Sequence, residues 1–194
     1  PLTRGKELFG QAGKLGRKLI SLHTYGERFI PKGKKIGEIP PGNAKCTRAV
    51  PEHPEGYPDE FSYNEATKTL HVGEGEFAPV SQAVWEFSVS GLEVVRSWLS
   101  YRMKSGYGRK SSPLDNIRPE RWTKDFTEEL LQLLWVLEAT VDMFPQLGKL
   151  LGQIVESKVV TSDELPEPTE EERQAPQPEA AQEENNQLEL GNRG

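Results

Sequence analysis

The last 34 residues limit what this chain can fold into. From Thr161 to Gly194 there are ten Asp/Glu, two arginines, four prolines and no aromatic residue. A segment so poor in apolar side chains cannot bury enough surface to offset the entropy of ordering it. Residues 161–194 are therefore expected to be a disordered acidic tail, and residues 1–160 must supply the core. A body of that order buries roughly 70% of its unfolded-state surface, so it needs neither disulfides nor a structural metal. The lone cysteine, Cys46, excludes an internal disulfide framework and multi-cysteine metal sites, and fits the reducing cytoplasm. No apolar run approaches the roughly 20 residues of a membrane span, and no signal segment opens the chain, so no membrane partner is expected. The chain starts Pro1-Leu2-Thr3 without an initiator Met, which suggests the C-terminal piece of a longer polypeptide.

The tail also distorts the charge. The formal net charge is −6, which at face value argues against a nucleic-acid partner. Its distribution says otherwise. Residues 1–50 carry eleven Lys/Arg against three acids and residues 51–95 one Lys against nine. Residues 96–124 carry eight against two, and residues 125–160 two against six, so the body sums to +2 and the tail to −8. The tail is either a solubilising end or an acidic segment that competes with DNA for the basic body.

Periodicity places the elements. Leu8, Ala12, Leu15, Leu19 and Leu22 predict an amphipathic helix within 4–22, weakened by Gly10, Gly13 and Gly16. Residues 31–58, with six prolines, read as a long connection. Phe61–Tyr63 and Thr69–Val72 read as strands joined by a turn, with a third at Glu76–Val80. The alternation of Trp85, Phe87 and Val89 predicts another strand, closed by Gly91. Leu92, Val95, Trp98 and Leu99 share one face of a predicted helix over 92–104, with Arg96, Ser100 and Lys104 on another. Asp125 with Glu128 forms a plausible capping pair for a last helix, interrupted at Pro145 and restarted through Leu147, Leu150, Leu151 and Ile154. The expected fold class is α+β: a small antiparallel sheet packed with helices, with long basic Gly/Pro loops.

The search for chemistry finds no catalytic set. None of His23, His53 and His71 lies within four residues of another or of Cys46, so no metal site is expected. Gly106-Tyr107-Gly108-Arg109-Lys110-Ser111 lacks the spacing and the preceding strand of a phosphate loop. Asp59, Glu65 and Lys68 miss the spacing of a nuclease set, because Glu65 and Lys68 sit three apart across a turn. What remains is basic surface interleaved with aromatics. Arg102, Lys104, Tyr107, Arg109, Lys110, Ser111, Ser112, Asn116, Arg118 and Arg121 are the candidate DNA contacts. Guanidinium and ammonium groups neutralise phosphates, and glycines allow close main-chain approach. The alternative for these side chains is plain solvation. Lys32, Lys34, Lys35 and Lys45 are equally ambiguous, and Lys14, Arg17 and Lys18 make only a weak membrane-facing helix.

Several segments together resemble the C-terminal specificity domain of type ISP restriction–modification enzymes. They are Val84–Gly91, Trp98–Met103, Gly108–Asp115, Trp122-Thr123 and Glu129–Leu131, with Leu22–Phe29 upstream. The similarity runs from about residue 17 to residue 156. It implies a distal part of a DNA target-recognition domain, attached to an adenine methyltransferase module with helicase and nuclease modules further upstream. Double-stranded DNA and that methyltransferase module are then the implied partners. The methyl donor S-adenosylmethionine would bind elsewhere in the parent chain, since this segment lacks the Asn/Asp-Pro-Pro-Tyr/Phe motif and carries no cofactor or catalytic residue. The alternative is an intramolecular docking module that uses the leucine-rich helices of Leu130–Ile154 and makes little direct DNA contact. A free-standing hydrolase is the weakest reading.

Overall fold

The computed structural model describes residues 2–104 and 120–174. Its centre is a four-stranded antiparallel sheet in the order β2 (Lys45–Arg48), β5 (Gly75–Ala78), β4 (Thr69–Val72), β3 (Phe61–Asn64). Pairing sets Tyr63 against Leu70, Leu70 against Phe77 and Phe77 against Cys46, which places one apolar row across the sheet. Leu70, Val72 and Phe77 are fully buried. The opposite face carries His71, Glu76 and Arg48, with Arg48 ion-paired to Glu76 at 3.1 Å. This is the one-sided pattern of an antiparallel sheet with a core on one face and water on the other. The β3–β4 turn is closed by the Asn64 side chain, which accepts from the Thr67 N–H at 3.2 Å.

The expected strand through Trp85 is not there. Gln82–Trp85 forms a helical turn, α2, started by Ser81, whose hydroxyl accepts from the Val84 N–H at 3.3 Å. Val84 and Trp85 are consecutive and both buried, which a period-two strand cannot achieve. The chain then makes a two-stranded hairpin, β6 (Ser88–Val89) with β7 (Leu92–Glu93). Ser90 and Gly91 at its tip both have positive φ, 51° and 82°, the turn whose twist matches paired strands. Leu92 therefore belongs to the hairpin and is exposed, and α3 is shorter than its periodicity suggested, running Val94–Ser100.

The last helix, α4, runs Lys124–Glu156 without interruption. Its N-cap is Thr123, whose hydroxyl accepts from the Phe126 N–H at 3.2 Å; the expected Asp125–Glu128 pair does not cap it. Pro145 sits inside the helix on an exposed face, where water can solvate the Val141 carbonyl that loses its usual partner. Packing carries the helix through that defect, because α4 serves two cores. Its first half packs Leu130, Leu134 and Leu137 with the sheet, Val95, Leu99, Met103 and Trp122. Its second half packs Met143 and Leu150 on Leu15 and Leu22 of α1 (Lys6–His23).

A long segment and both ends of the described chain are tied to this frame. Glu138 of α4 accepts from the Asn43 and Ala44 N–H groups at 2.7 and 3.2 Å, and the Trp135 indole donates to the Ala44 carbonyl. Only glycine fits at 42, since a Cβ there would overlap Trp135 and the Glu138 carboxylate. At the far end of α4, β1 (Leu2–Thr3) pairs with β8 (Val159–Val160), and Thr3 shares a hydrogen bond with Ser157 at 2.8 Å. Thr161–Glu164, at the start of the segment expected to be disordered, forms a capped 3-10 turn in which Glu164 pairs with Arg4. The Thr161 N–H and the Arg4 guanidinium both hold the Glu164 carboxyl below its ordinary pKa. No helix among the described residues is long and apolar enough to cross a membrane.

Candidate nucleic-acid interface

The basic central segment is pinned where it enters and leaves the body. After α3 the chain turns through Tyr101–Lys104: Met103 is fully buried, the Lys104 N–H donates to the Pro58 carbonyl at 2.9 Å, and the Tyr57 hydroxyl donates to the Arg102 carbonyl at 2.7 Å. At the other end Trp122 is fully buried, its indole N–H donating to Thr127 at 2.9 Å and its ring edge-on to Trp98 and Phe126. Two large apolar anchors therefore hold the described residues on either side of the cationic segment 105–119. Lys104 and Arg121 flank it, and both are exposed. Tyr107, Arg109, Lys110, Ser111, Ser112, Asn116 and Arg118 lie outside the described residues.

Arg102 has a different position from its fellow candidates. Its guanidinium lies 3.8 Å from the centre of the Trp98 ring and 5.3 Å from that of Phe126, and it pairs with Glu129 of α4 at 3.0 Å. Its Nε is shut off from solvent with no acceptor among the described residues. An orphaned buried donor costs about 1–3 kcal/mol, which the ion pair and ring contacts must offset. Arg96 is engaged as well: it pairs with Glu93 and lies 4.6 Å from the Trp85 ring centre. Charge counting had treated all these cations alike, whereas the fold leaves Lys104 and Arg121 facing water and turns Arg102 onto protein.

Beside Arg102 a cleft of about 360 Å³ opens, lined by Tyr25, Trp98, Arg102, Glu129 and Gln132. Tyr25, just past α1, holds a positive φ of 50°, uncommon for a bulky side chain and of the sort that collects at functional sites. Partial burial, and next the neighbouring Glu129 carboxylate, push its phenol pKa up against the opposing pull of Arg102, so the hydroxyl keeps its proton at neutral pH. Among the described residues no hydrogen bond engages the Tyr25 hydroxyl or the Gln132 amide. Sequence reasoning missed Tyr25, Glu129 and Gln132 as site residues because it looked for cations, and it assigned Trp98 to the core, where it is half-buried. The signal was present: Leu22–Phe29, Trp98–Met103 and Glu129–Leu131 are three of the segments that carry the resemblance, and the fold brings them to one cleft.

A second cleft, of about 260 Å³, lies between Asn43, Lys68, Ser81, Glu138 and Asp142. Glu138 is already committed there to two backbone amides. No group of three or more His, Cys, Asp or Glu among the described residues is placed to hold a metal ion.

The family model of the type ISP C-terminal specificity domain matches residues 1–133. The chain belongs to that family. No curated protein and no solved structure matches it. The match begins at residue 1, earlier than the resemblance reading placed it, and ends at Leu133, ten residues into α4. It includes the whole basic segment and every residue lining the cleft of Arg102. Membership in the type ISP specificity domains implies DNA target recognition within a restriction–modification enzyme.

Proposed function

We propose that this type ISP specificity domain reads a defined sequence of double-stranded DNA for an adenine methyltransferase module of the same polypeptide. S-adenosylmethionine binds that module, and helicase and nuclease modules lie further upstream. The observation that carries this reading is the cationic segment 105–119 inside the family match, rooted between the buried Met103 and Trp122. Phosphate contacts from Arg109, Lys110, Arg118, Lys104 and Arg121 set the register, and polar side chains such as Asn116 reach base edges. Each phosphate neutralised releases counterions, so binding falls steeply with salt. Arg109→Ala is expected to weaken duplex binding in an anisotropy assay and to lower the salt slope by about one. Salt-insensitive binding unchanged by the substitution would refute the proposal.

A second reading, a docking module for the rest of the enzyme, draws on the exposed Phe144, Leu151 and Val155 of α4. A chain that binds no duplex yet co-purifies with the methyltransferase module would favour it.

A further inference from the structure

The cleft of Tyr25, Trp98, Arg102, Glu129 and Gln132 has the wrong shape for reading a paired base. A base edge inside a duplex is reached by an element that projects into the groove, whereas a concave cleft receives a base only after it has left the stack. The chemistry of the lining is also wrong for a phosphate. Its one cation is already paired with Glu129, so the cleft has no net charge to offer an anion. What it does offer is flat walls, in the Tyr25 ring and in the Trp98 indole with the Arg102 guanidinium stacked along it. Unstacked bases are held on walls of this kind, both aromatic and guanidinium. Along one wall stand Glu129 and Gln132, three residues apart and so neighbours on the surface of α4. The Glu129 oxygen that does not meet Arg102 can accept a hydrogen bond, and the Gln132 amide can both donate and accept. Arg102, which lines the cleft, stands three residues before the basic segment 105–119 in sequence.

We propose that this cleft takes a single extrahelical nucleobase bearing an exocyclic amino group, stacked on Tyr25 and the Trp98–Arg102 pair and read by Glu129 and Gln132. The carboxylate accepts from the amino group, and the amide bonds the adjoining ring nitrogen or carbonyl. Thymine, with no amino group, leaves the carboxylate without that partner. The inference rests on the DNA-recognition reading above and adds to it a binding site that uses none of the residues of the cationic segment.

The test uses the full chain and labelled duplexes carrying one bulged nucleotide, which is already free of pairing and needs no knowledge of the target sequence. The bulge is dA, dC, dT or an abasic residue, and a fully paired duplex serves as reference. Bulged dA or dC is expected to bind roughly tenfold more tightly than bulged dT, the scale of one hydrogen bond left unmade, and dT in turn more tightly than the abasic bulge, because every base can stack. Gln132→Ala should bring dA and dC down toward dT, and Tyr25→Ala should bring all three bases down toward the abasic level, while both leave the fully paired duplex unaffected. Gln132 is exposed, so its variant folds even if a change at Tyr25 disturbs the α1 terminus. Equal affinity for all bulges, equal affinity for dT, or a preference that survives Gln132→Ala overturns the proposal. Salt-dependent binding of the paired duplex without any bulge preference sinks the cleft alone; no binding to any of these probes sinks the DNA reading with it.

Discussion

At the scale of single residues, the side chains that matter most are those whose charge the fold has already used. Glu138 is the clearest case. Its carboxylate accepts from two consecutive backbone amides, at Asn43 and Ala44, and so fastens the long Pro/Gly connection to α4. Glu138→Ala removes the acceptor of an exposed and a part-buried backbone amide and is expected to cost about 1 kcal/mol in urea unfolding. Glu138→Gln keeps one carbonyl acceptor and should recover part of the loss; equal losses for the two variants would mean that the side chain acts by packing alone. This clamp was not legible beforehand, because a glutamate 94 residues from its partner leaves no local trace in the sequence. Arg102 went unread for a related reason: sequence shows a cation, and only the fold shows Trp98 and Glu129 around it.

Secondary-structure elements were legible where one force decided them and misread where two competed. β3, β4 and the turn between them followed from alternation and an Asn-led turn, both local signals. The strand expected through Trp85 failed because the Ser81 cap outweighed an alternation only three residues deep. At Pro145 local chemistry predicted a break, and tertiary packing of the same helix on two cores overrode it. Proline inside a helix costs roughly 3 kcal/mol relative to alanine, through the lost N–H and the ring's clash with the preceding turn. Pro145 is exposed, so Pro145→Ala restores the hydrogen bond to Val141 without removing core contacts. The substitution is expected to stabilise the chain by roughly 1–3 kcal/mol in urea unfolding. A destabilised variant would show that the seating of Leu147 and Leu150 on α1 depends on the proline itself.

On the scale of the whole molecule, the folded unit extends past the stretch that defines the family. The match ends at Leu133, yet α1, which lies inside it, buries Leu15 and Leu22 on Met143 and Leu150. The β1–β8 pair and the Arg4–Glu164 contact then close the molecule beyond α4. Residues up to Glu164 are therefore part of the stability of the fold, and the acidic residues that follow are a separate matter of charge. A chain ending at Pro166 loses eight acids and two arginines, which takes the formal charge from −6 to 0. It keeps every contact of the 3-10 turn, so its unfolding free energy should stay within about 0.5 kcal/mol of the parent. Its duplex affinity should rise at low ionic strength, because the removed charges repel phosphate and compete for the cationic segment. That gain should shrink as salt is raised toward roughly 1 M, where the Debye length is only about 3 Å. Anisotropy titrations across a salt series decide the point: parallel curves for the two chains would assign the tail to solubility alone, and curves that converge at high salt would make it a competitor of DNA.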